Sequence, residues 1–182
     1  MRRVHLLAAH LLAASLLAAV PLGAAVGQAD LASKIANDPS NPQVTGAKVR
    51  LVGDPLAQGG KALRVTVARK GTNNWDSVVE SPLTKPVRAG DRLVLAFEAR
   101  LQQSPDGATS AAVPYTAIQM VAAPYSAVAS GPVTVGPEWK QHRVEGRSDK
   151  DYPAGALKAS IQVGNAKQQI DFGPIVVLNM GQ

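Results

Sequence analysis

The clearest pattern in the chain is the alternation of side chains from Asp91 to Leu101. Apolar residues such as Leu93, Leu95 and Phe97 fall on one side, whereas Glu98 and Arg100 fall on the other. A period of two residues indicates a β-strand whose two faces have different surroundings. We therefore expect the apolar face to pack in a core. The charged face belongs either to a solvated sheet surface or to the floor of a binding groove.

Shorter alternating segments with Gly, Pro and Asn turns between them fill the rest of the chain. They are residues 47–52, 61–68, 75–83, 112–122, 139–146, 156–163 and 169–179. After the first 43 residues no segment has a sustained 3.6-residue period, and no internal repeat is visible. About nine short strands separated by turns are typical of an all-β fold, a two-sheet antiparallel β-sandwich. The Gly173-Pro174 pair predicts a bulge or an edge position in the last strand.

The N-terminus has the order of a secretory signal peptide. Met1-Arg2-Arg3 is basic, residues 5–22 are rich in Leu and Ala, and small residues follow. That order predicts a signal peptide over residues 1–29 with cleavage before Asp30, or alternatively after Ala25. A retained membrane anchor is the other interpretation, although the apolar run is marginal for crossing a bilayer. Residues 30–43 then form a polar lead-in or tether with at most one helical turn, and residues 44–182 form the sandwich.

The charge and the Cys content of the chain exclude several kinds of partner and of stabilisation. Cleavage before Asp30 would lower the net charge from +6 to +4, because Arg2 and Arg3 are removed and no acid is. The remaining Lys and Arg residues form no block, which argues against nucleic acid as a partner and against an anionic membrane surface. The chain has no Cys, so a disulfide framework is excluded.

The residues available for catalysis are few. The predicted mature chain has one His, His142, which shares a strand face with Val144 rather than with a carboxylate. No nucleophile motif and no cluster of metal ligands is visible. Asp76 and Glu80 share a strand face but would lie ~13 Å apart at the usual strand rise. We take that as too far for a hydrolytic pair, and the sequence predicts that the protein is not an enzyme.

Outward-facing polar and aromatic side chains favour a binding surface instead. Aromatic planes stack on the apolar faces of sugar rings, and amides or guanidinium groups pair with hydroxyls. An alternative remains open at this point, which is that these are ordinary solvated sheet positions. The candidate side chains are Trp75, Glu98, Arg100, Tyr115, Gln119 and Gln162.

Several short motifs, taken in order, resemble those of carbohydrate-binding modules of the family 4/9/22 type. The resemblance implies the fold of these modules, a galactose-binding-domain-like jelly roll. The motifs are Gly60 to Val65 (GKALRV), Gly71 to Asp76 (GTNNWD), Val87 to Asp91 (VRAGD), Leu95 to Arg100 (LAFEAR), Gln119, Glu138-Trp139-Lys140, Gln162 and a last apolar strand ending at Asn179. The resemblance covers residues 44–180, essentially the whole predicted mature chain. Such modules bind glycans in a groove on one sheet and usually accompany glycoside hydrolases.

The resemblance implies roles for individual residues. Trp75 would stack on a sugar, and Arg100, Tyr115, Gln119 and Gln162 would line the groove, whereas Trp139 would be structural. The family often holds a structural calcium, and Asp171 is the one candidate ligand for it here. A calcium site therefore cannot be assigned from the sequence, and no other cofactor is expected. The low aromatic content departs from the family pattern and weakens the expectation of a tight glycan site.

Together these observations predict a secreted or periplasmic, non-catalytic module. Its partner would be a plant-type or microbial polysaccharide, with a glycoside hydrolase acting alongside and no membrane span after processing. The alternative is an envelope protein that keeps the fold and uses it for structure or protein interaction without binding sugar. A small hydrolase or esterase is a third hypothesis, against which the lack of a nucleophile–base pair argues.

Overall fold

The computed structural model describes residues 28–182, which form one short helix and ten strands. The signal peptide predicted over residues 1–29 falls almost entirely outside them. The elements are α1 (Gln28–Lys34), β1 (Gln43–Thr45), β2 (Lys48–Gly53), β3 (Lys61–Val67), β4 (Val78–Pro82), β5 (Arg92–Gln103), β6 (Ala111–Met120), β7 (Ala127–Val135), β8 (Lys140–Arg147), β9 (Leu157–Gln162) and β10 (Gln168–Asn179).

The strands form two five-stranded sheets that pack face to face. Sheet I has the order β1-β4-β9-β6-β7, and sheet II has the order β2-β3-β10-β5-β8. Every neighbouring pair is antiparallel. The two-sheet antiparallel β-sandwich predicted from the alternation is confirmed. Within residues 28–182 no helix has the length and hydrophobicity that crossing a bilayer would require.

The core between the sheets is built from the inward faces that the two-residue period identified. Leu93, Leu95 and Phe97 of β5 are all buried, and Phe97 contacts Phe172 of β10 with ring centroids 6.0 Å apart. The irregularity predicted at Gly173-Pro174 is confirmed as a shift in the β10–β5 register between Phe172 and Ile175. The shift lets apolar side chains on both halves of the long β10 reach the core.

Two strands were not predicted. β1 is only three residues long, which is too short for its alternation to be recognised. β7 carries Gly131 and Pro132 in its interior, and these residues normally indicate a turn. β7 pairs with β6 only, at the edge of sheet I, and this is where a strand tolerates proline best.

The N-terminal segment, expected as a polar lead-in or tether, leads into β1 and also packs on the folded domain. Leu31 and Ile35 pack on the outer face of sheet II, against Val94, Val176 and Leu178. The apolar residues on that outer face are covered by the segment that precedes the sandwich. The weak apolar pattern of residues 30–41 hid this role, because two or three apolar side chains are enough to cover a short patch.

Asn37 connects this segment to both sheets. Its Nδ2 donates to Ser81 Oγ of sheet I at 2.7 Å and to the Ile175 carbonyl of sheet II at 2.9 Å. Its Oδ1 accepts from the Val177 N–H at 2.7 Å, and the residue is only 5% exposed. A buried amide with three short bonds fixes the position where the chain crosses from sheet II to sheet I.

Replacing Asn37 should therefore weaken the sandwich strongly. Asn37→Ala leaves buried groups of β10 without partners, which we expect to lower the free energy of unfolding by about 2–5 kcal/mol. Chemical denaturation followed by tryptophan fluorescence measures this. Asn41→Ala is the matched control because Asn41 is exposed and its side chain makes no hydrogen bond within residues 28–182. We expect it to change the free energy of unfolding by less than about 0.5 kcal/mol. Equal losses in the two variants would contradict the role of Asn37.

Candidate groove on the outer face of sheet I

The outer face of sheet I carries side chains arranged in three rows across β4, β9 and β6. The register of these strands aligns Val78, Gln162 and Tyr115 in the first row. It aligns Glu80, Ser160 and Ala117 in the second row, and Pro82, Lys158 and Gln119 in the third. Because rows recur every second residue, the three rows span about 13 Å along the strands.

These rows form the floor of an open groove with a volume of about 720 Å³. Trp75 lies at the first-row end, just before β4, and Tyr125 lies beyond the third row in the β6–β7 loop. Both rings are unusually accessible, with exposed fractions of 61% for Trp75 and 54% for Tyr125. The groove therefore runs over a polar floor between two exposed aromatic side chains.

A short 3₁₀ turn, Asn74–Asp76, holds Trp75 at the groove. Asp76 Oδ2 accepts from the Asn73 N–H at 2.9 Å, closing a capping box across the turn. Gly164 lets the turn lie close to the end of β9, since a Cβ there would stand 2.7 Å from the Asn74 carbonyl oxygen. The backbone around Trp75 is thus fixed while its side chain stays exposed.

Most polar groups of the floor have no protein partner. Among the described residues, no hydrogen bond reaches the side chains of Tyr115, Gln119, Ser160 or Gln162. Burial raises the pKa of the Tyr115 phenol, so that the hydroxyl keeps its proton and can act as a donor. Gln119 is only 6% exposed and still lines the groove. Buried or half-buried amides without partners are uncommon in protein structures, and here they face a space that a ligand can enter.

The floor carries charge at one place. Lys158 Nζ lies 2.6 Å from Glu80 Oε1, and the two side chains are 16% and 21% exposed. The described side chains that line the groove include one acid and one base, and these two bind each other. The floor as a whole is electrically neutral.

The structure brings four of the six predicted site residues together and separates the other two. Trp75, Tyr115, Gln119 and Gln162 all line the groove. Glu98 and Arg100 belong to β5, which is in sheet II, so the prediction that they share this groove was wrong in its placement. Alternation identifies which side chains point away from the core. It does not tell which of the two outer faces they occupy, because each sheet has one.

Arg100 instead belongs to an ion-pair cluster on the outer face of sheet II. Its guanidinium binds the carboxylate of Asp54 and lies 3.3 Å from Asp171 Oδ2. Arg64 binds both oxygens of Asp171, at 2.7 and 2.9 Å, and Arg100 stacks 5.0 Å from the centroid of the Trp139 ring. Trp139 therefore packs against structural groups and does not face the groove. Glu98 lies beside Gly173 of the β10 bulge.

The surroundings of Asp171 do not suit calcium. Asp171 is completely buried, and both of its oxygens already accept hydrogen bonds from guanidinium groups. Calcium prefers several oxygen ligands around one point, whereas the nearest groups here are cations. Within residues 28–182 no three His, Asp or Glu side chains form a group that could hold a metal ion.

His142 has a structural environment as well. The ring is 8% exposed and lies 5.5 Å from the Phe97 ring on the core side of β8. Burial, with a smaller contribution from Lys140, lowers the pKa of His142, so that the neutral form is favoured. Asp76 caps the turn beside Trp75, and Glu80 is paired with Lys158, so these two carboxylates do not form a pair.

Sequence reasoning missed several groove residues. Lys158 and Ser160 alternate with the apolar residues of β9, which indicates that they face outward, but nothing in the pattern links them to Glu80 on a distant strand. Tyr125 follows Pro124 in a loop, where there is no periodicity to indicate its direction. The signal that could have found Tyr125 is its residue type, because an aromatic ring in a loop next to a predicted strand is a common feature of binding sites.

Comparison with known proteins identifies the fold. No family model matches the chain, and no curated protein does. Among solved structures, a carbohydrate-binding module of family 4 superposes with a TM-score of 0.59 at 17% identity, covering 78% of this chain and 96% of that one. The N-terminal cellulose-binding domain of Cellulomonas fimi β-1,4-glucanase C superposes with a TM-score of 0.58 at 15% identity, covering 80% of this chain and 93% of that one.

A third similar structure belongs to a longer enzyme chain. It holds the CBM22-1 and GH10 modules of Clostridium thermocellum endo-1,4-β-D-xylanase 10B in complex with xylohexaose. It matches with a TM-score of 0.54 at 9% identity, over 81% of this chain and 27% of that one. The protein thus has the jelly-roll fold of carbohydrate-binding modules, as its resemblance to them implied.

The ion-pair cluster on sheet II predicts a specific acid dependence of stability. The pKa of Asp54 lies below its usual value of 3.8, mainly because the Leu56 N–H donates a hydrogen bond to its carboxylate. The positive charge of Arg100 lowers this pKa further. A lowered folded-state pKa stabilises the protein above the unfolded pKa, and this stabilisation is lost as the pH falls through the folded value. We expect wild type to be more stable than Asp54→Asn at pH 6, with the difference shrinking as the pH falls below about 4.

Urea unfolding at a series of pH values measures this difference. Asp106→Asn serves as the control because Asp106 is exposed and makes no ion pair within the described residues. An Asp54→Asn difference that stays constant from pH 6 to pH 3 would contradict the role of the Asp54 carboxylate.

Proposed function

We propose that the protein is a non-catalytic carbohydrate-binding module that takes a β-linked polysaccharide, of the xylan or cellulose type, in the groove of sheet I. One observation carries the proposal. Within the described chain, amide and hydroxyl groups without protein partners line the floor between two exposed aromatic rings. The fold agrees with this use, since two of the similar structures are a cellulose-binding domain and a module in complex with xylohexaose.

The aromatic side chains supply apolar contact. A pyranose or xylose ring has C–H groups on its faces, and these pack against the flat face of an indole or phenol. Trp75 and Tyr125 stand at opposite ends of the floor, so each can contact a different sugar unit of one chain. Two separated platforms favour a polymer or an oligosaccharide over a monosaccharide.

The floor supplies hydrogen bonds. Gln119 and Gln162 each offer an amide with two donors and one carbonyl acceptor, and neighbouring sugar hydroxyls need both kinds of partner. Ser160 and Tyr115 add hydroxyl groups between and beside the amides. Because the groove is open, bound sugar keeps much of its hydration, and we expect modest affinity.

Hydrolysis of the bound glycan is not part of the proposal. Glycoside hydrolysis uses two carboxylates on either side of the scissile bond. Of the described groove residues only Glu80 carries a carboxylate, and Lys158 is bound to it. The module would hold the polymer while a separate glycoside hydrolase cleaves it, which suits a secreted or periplasmic location and the signal peptide expected from the sequence.

The contribution of Trp75 provides the first test. Trp75→Ala removes an exposed stacking surface, so we expect the dissociation constant for xylohexaose or cellohexaose to rise about tenfold, equivalent to ~1.4 kcal/mol. Isothermal titration calorimetry on residues 30–182 measures it. Trp139→Phe, on the other sheet, should leave the constant unchanged. If wild type shows no binding to xylan, β-glucan or mannan, or if Trp75→Ala binds as wild type does, the proposal is overturned.

The amides of the floor provide a second test. Gln162→Ala removes polar groups from the middle strand of the groove, and we expect affinity to fall about 5- to 30-fold, as for loss of hydrogen bonds worth about 1–2 kcal/mol. Gln141→Ala is the matched control, because Gln141 lies opposite Glu98 in sheet II. Affinity gel electrophoresis in soluble xylan compares the variants directly. Equal retardation of the Gln162→Ala variant and wild type would count against a role for the floor.

A further inference from the structure

The Glu80–Lys158 ion pair is the one charged feature of the groove floor in the described structure. Glu80 lies in the second row on β4 and Lys158 in the third row on β9, so the pair sits diagonally across the floor. Ser160 and Gln119 lie beside it in the same rows, and the side chain of neither residue has a hydrogen-bond partner among residues 28–182. A ligand that extends along the floor between Trp75 and Tyr125 therefore has this pair beside or beneath it.

The pair has spare hydrogen-bonding capacity of both kinds. An ammonium group has three donors, and the contact at 2.6 Å with Glu80 Oε1 uses one of them. The described residues supply no other side-chain partner to Lys158 Nζ or to Glu80 Oε2. A sugar hydroxyl both donates and accepts, so neutral sugars can use the free positions on both partners.

A carboxylate in the ligand meets a different situation. It accepts hydrogen bonds and cannot donate them, so it could use Lys158 but would face Glu80 as a like charge only a few ångströms away. In a partly desolvated groove that repulsion offsets the attraction of the ammonium group. Without Glu80, the same floor would present an unpaired lysine to the ligand.

We propose that Glu80 is a specificity-determining residue that masks the charge of Lys158, so that the groove accepts uncharged glycans and discriminates against chains carrying uronic acids at this position. The inference rests on the proposed function of the groove. It follows that Lys158 is a latent carboxylate site that a single substitution can expose.

Calorimetry with two matched probes tests this inference. The probes are a neutral xylo-oligosaccharide and the same oligosaccharide carrying one glucuronic acid branch, both at low ionic strength, where charge effects are largest. For Glu80→Gln we expect the ratio of uronate affinity to neutral affinity to rise at least tenfold and to fall again when salt is added. The double variant Glu80→Gln/Lys158→Gln should return the ratio to that of wild type.

Glu145→Gln is the matched control. It makes the same change in net charge and removes an acid from another ion pair, Arg92–Glu145, which lies on sheet II and is more exposed, with side chains 48% and 46% exposed. We expect its affinity ratio to equal that of wild type. A ratio that rises as much in Glu145→Gln as in Glu80→Gln would mean that overall charge is responsible, and the inference would be overturned.

Other results separate this inference from the proposed function. If wild type binds the neutral probe and Glu80→Gln leaves the affinity ratio unchanged, the inference alone is overturned. If wild type binds neither probe, the inference and the proposed function are both overturned. Thermal unfolding confirms that each variant is folded. If Glu80→Gln does not fold, Lys158→Gln provides the test. It leaves the Glu80 carboxylate without its cation, so we expect the ratio of uronate affinity to neutral affinity to fall at least fivefold. An unchanged ratio in Lys158→Gln overturns the inference.

Discussion

The register of β9 is the constraint on which the groove depends. β9 lies between β4 and β6, and its Leu157, Ala159 and Ile161 are fully or almost fully buried in the core. Because the side-chain period is two, a slip of one residue would expose these and bury Lys158, Ser160 and Gln162. The free energy of core packing therefore fixes which polar side chains face the groove and which residues of the flanking strands stand next to them.

The two outer faces of the sandwich carry polar groups of different kinds. On sheet II, Asp54, Arg64, Arg100 and Asp171 neutralise each other, and the N-terminal segment covers the apolar positions. On sheet I the described amides and hydroxyls of the floor have no protein partners, and rings at either end are exposed. A face with paired charges contributes to stability, whereas a face with unpaired hydrogen-bonding groups is suited to a ligand.

Most of the architecture followed from alternation, and the exceptions have physical reasons. The inward positions of β5 and β9 could be read from the sequence because burial imposes a period on the chain. The bulge at Gly173-Pro174 could be read because Gly and Pro disfavour a regular interior strand. β7 could not, since Gly131 and Pro132 are also turn residues. The N-terminal segment could not either, because a few apolar contacts and one amide, that of Asn37, fix its position without creating a pattern.

The site was predictable to the extent that it depends on direction. The sequence by itself determined that Tyr115, Gln119, Gln162, Glu98 and Arg100 all point away from the core, because alternation is a local property of each strand. Only the tertiary structure decided that the first three share one face with Trp75, while Glu98 and Arg100 lie on the other sheet. Strand order depends on contacts between segments far apart in the chain, and that long-range pairing also placed Lys158 beside Glu80.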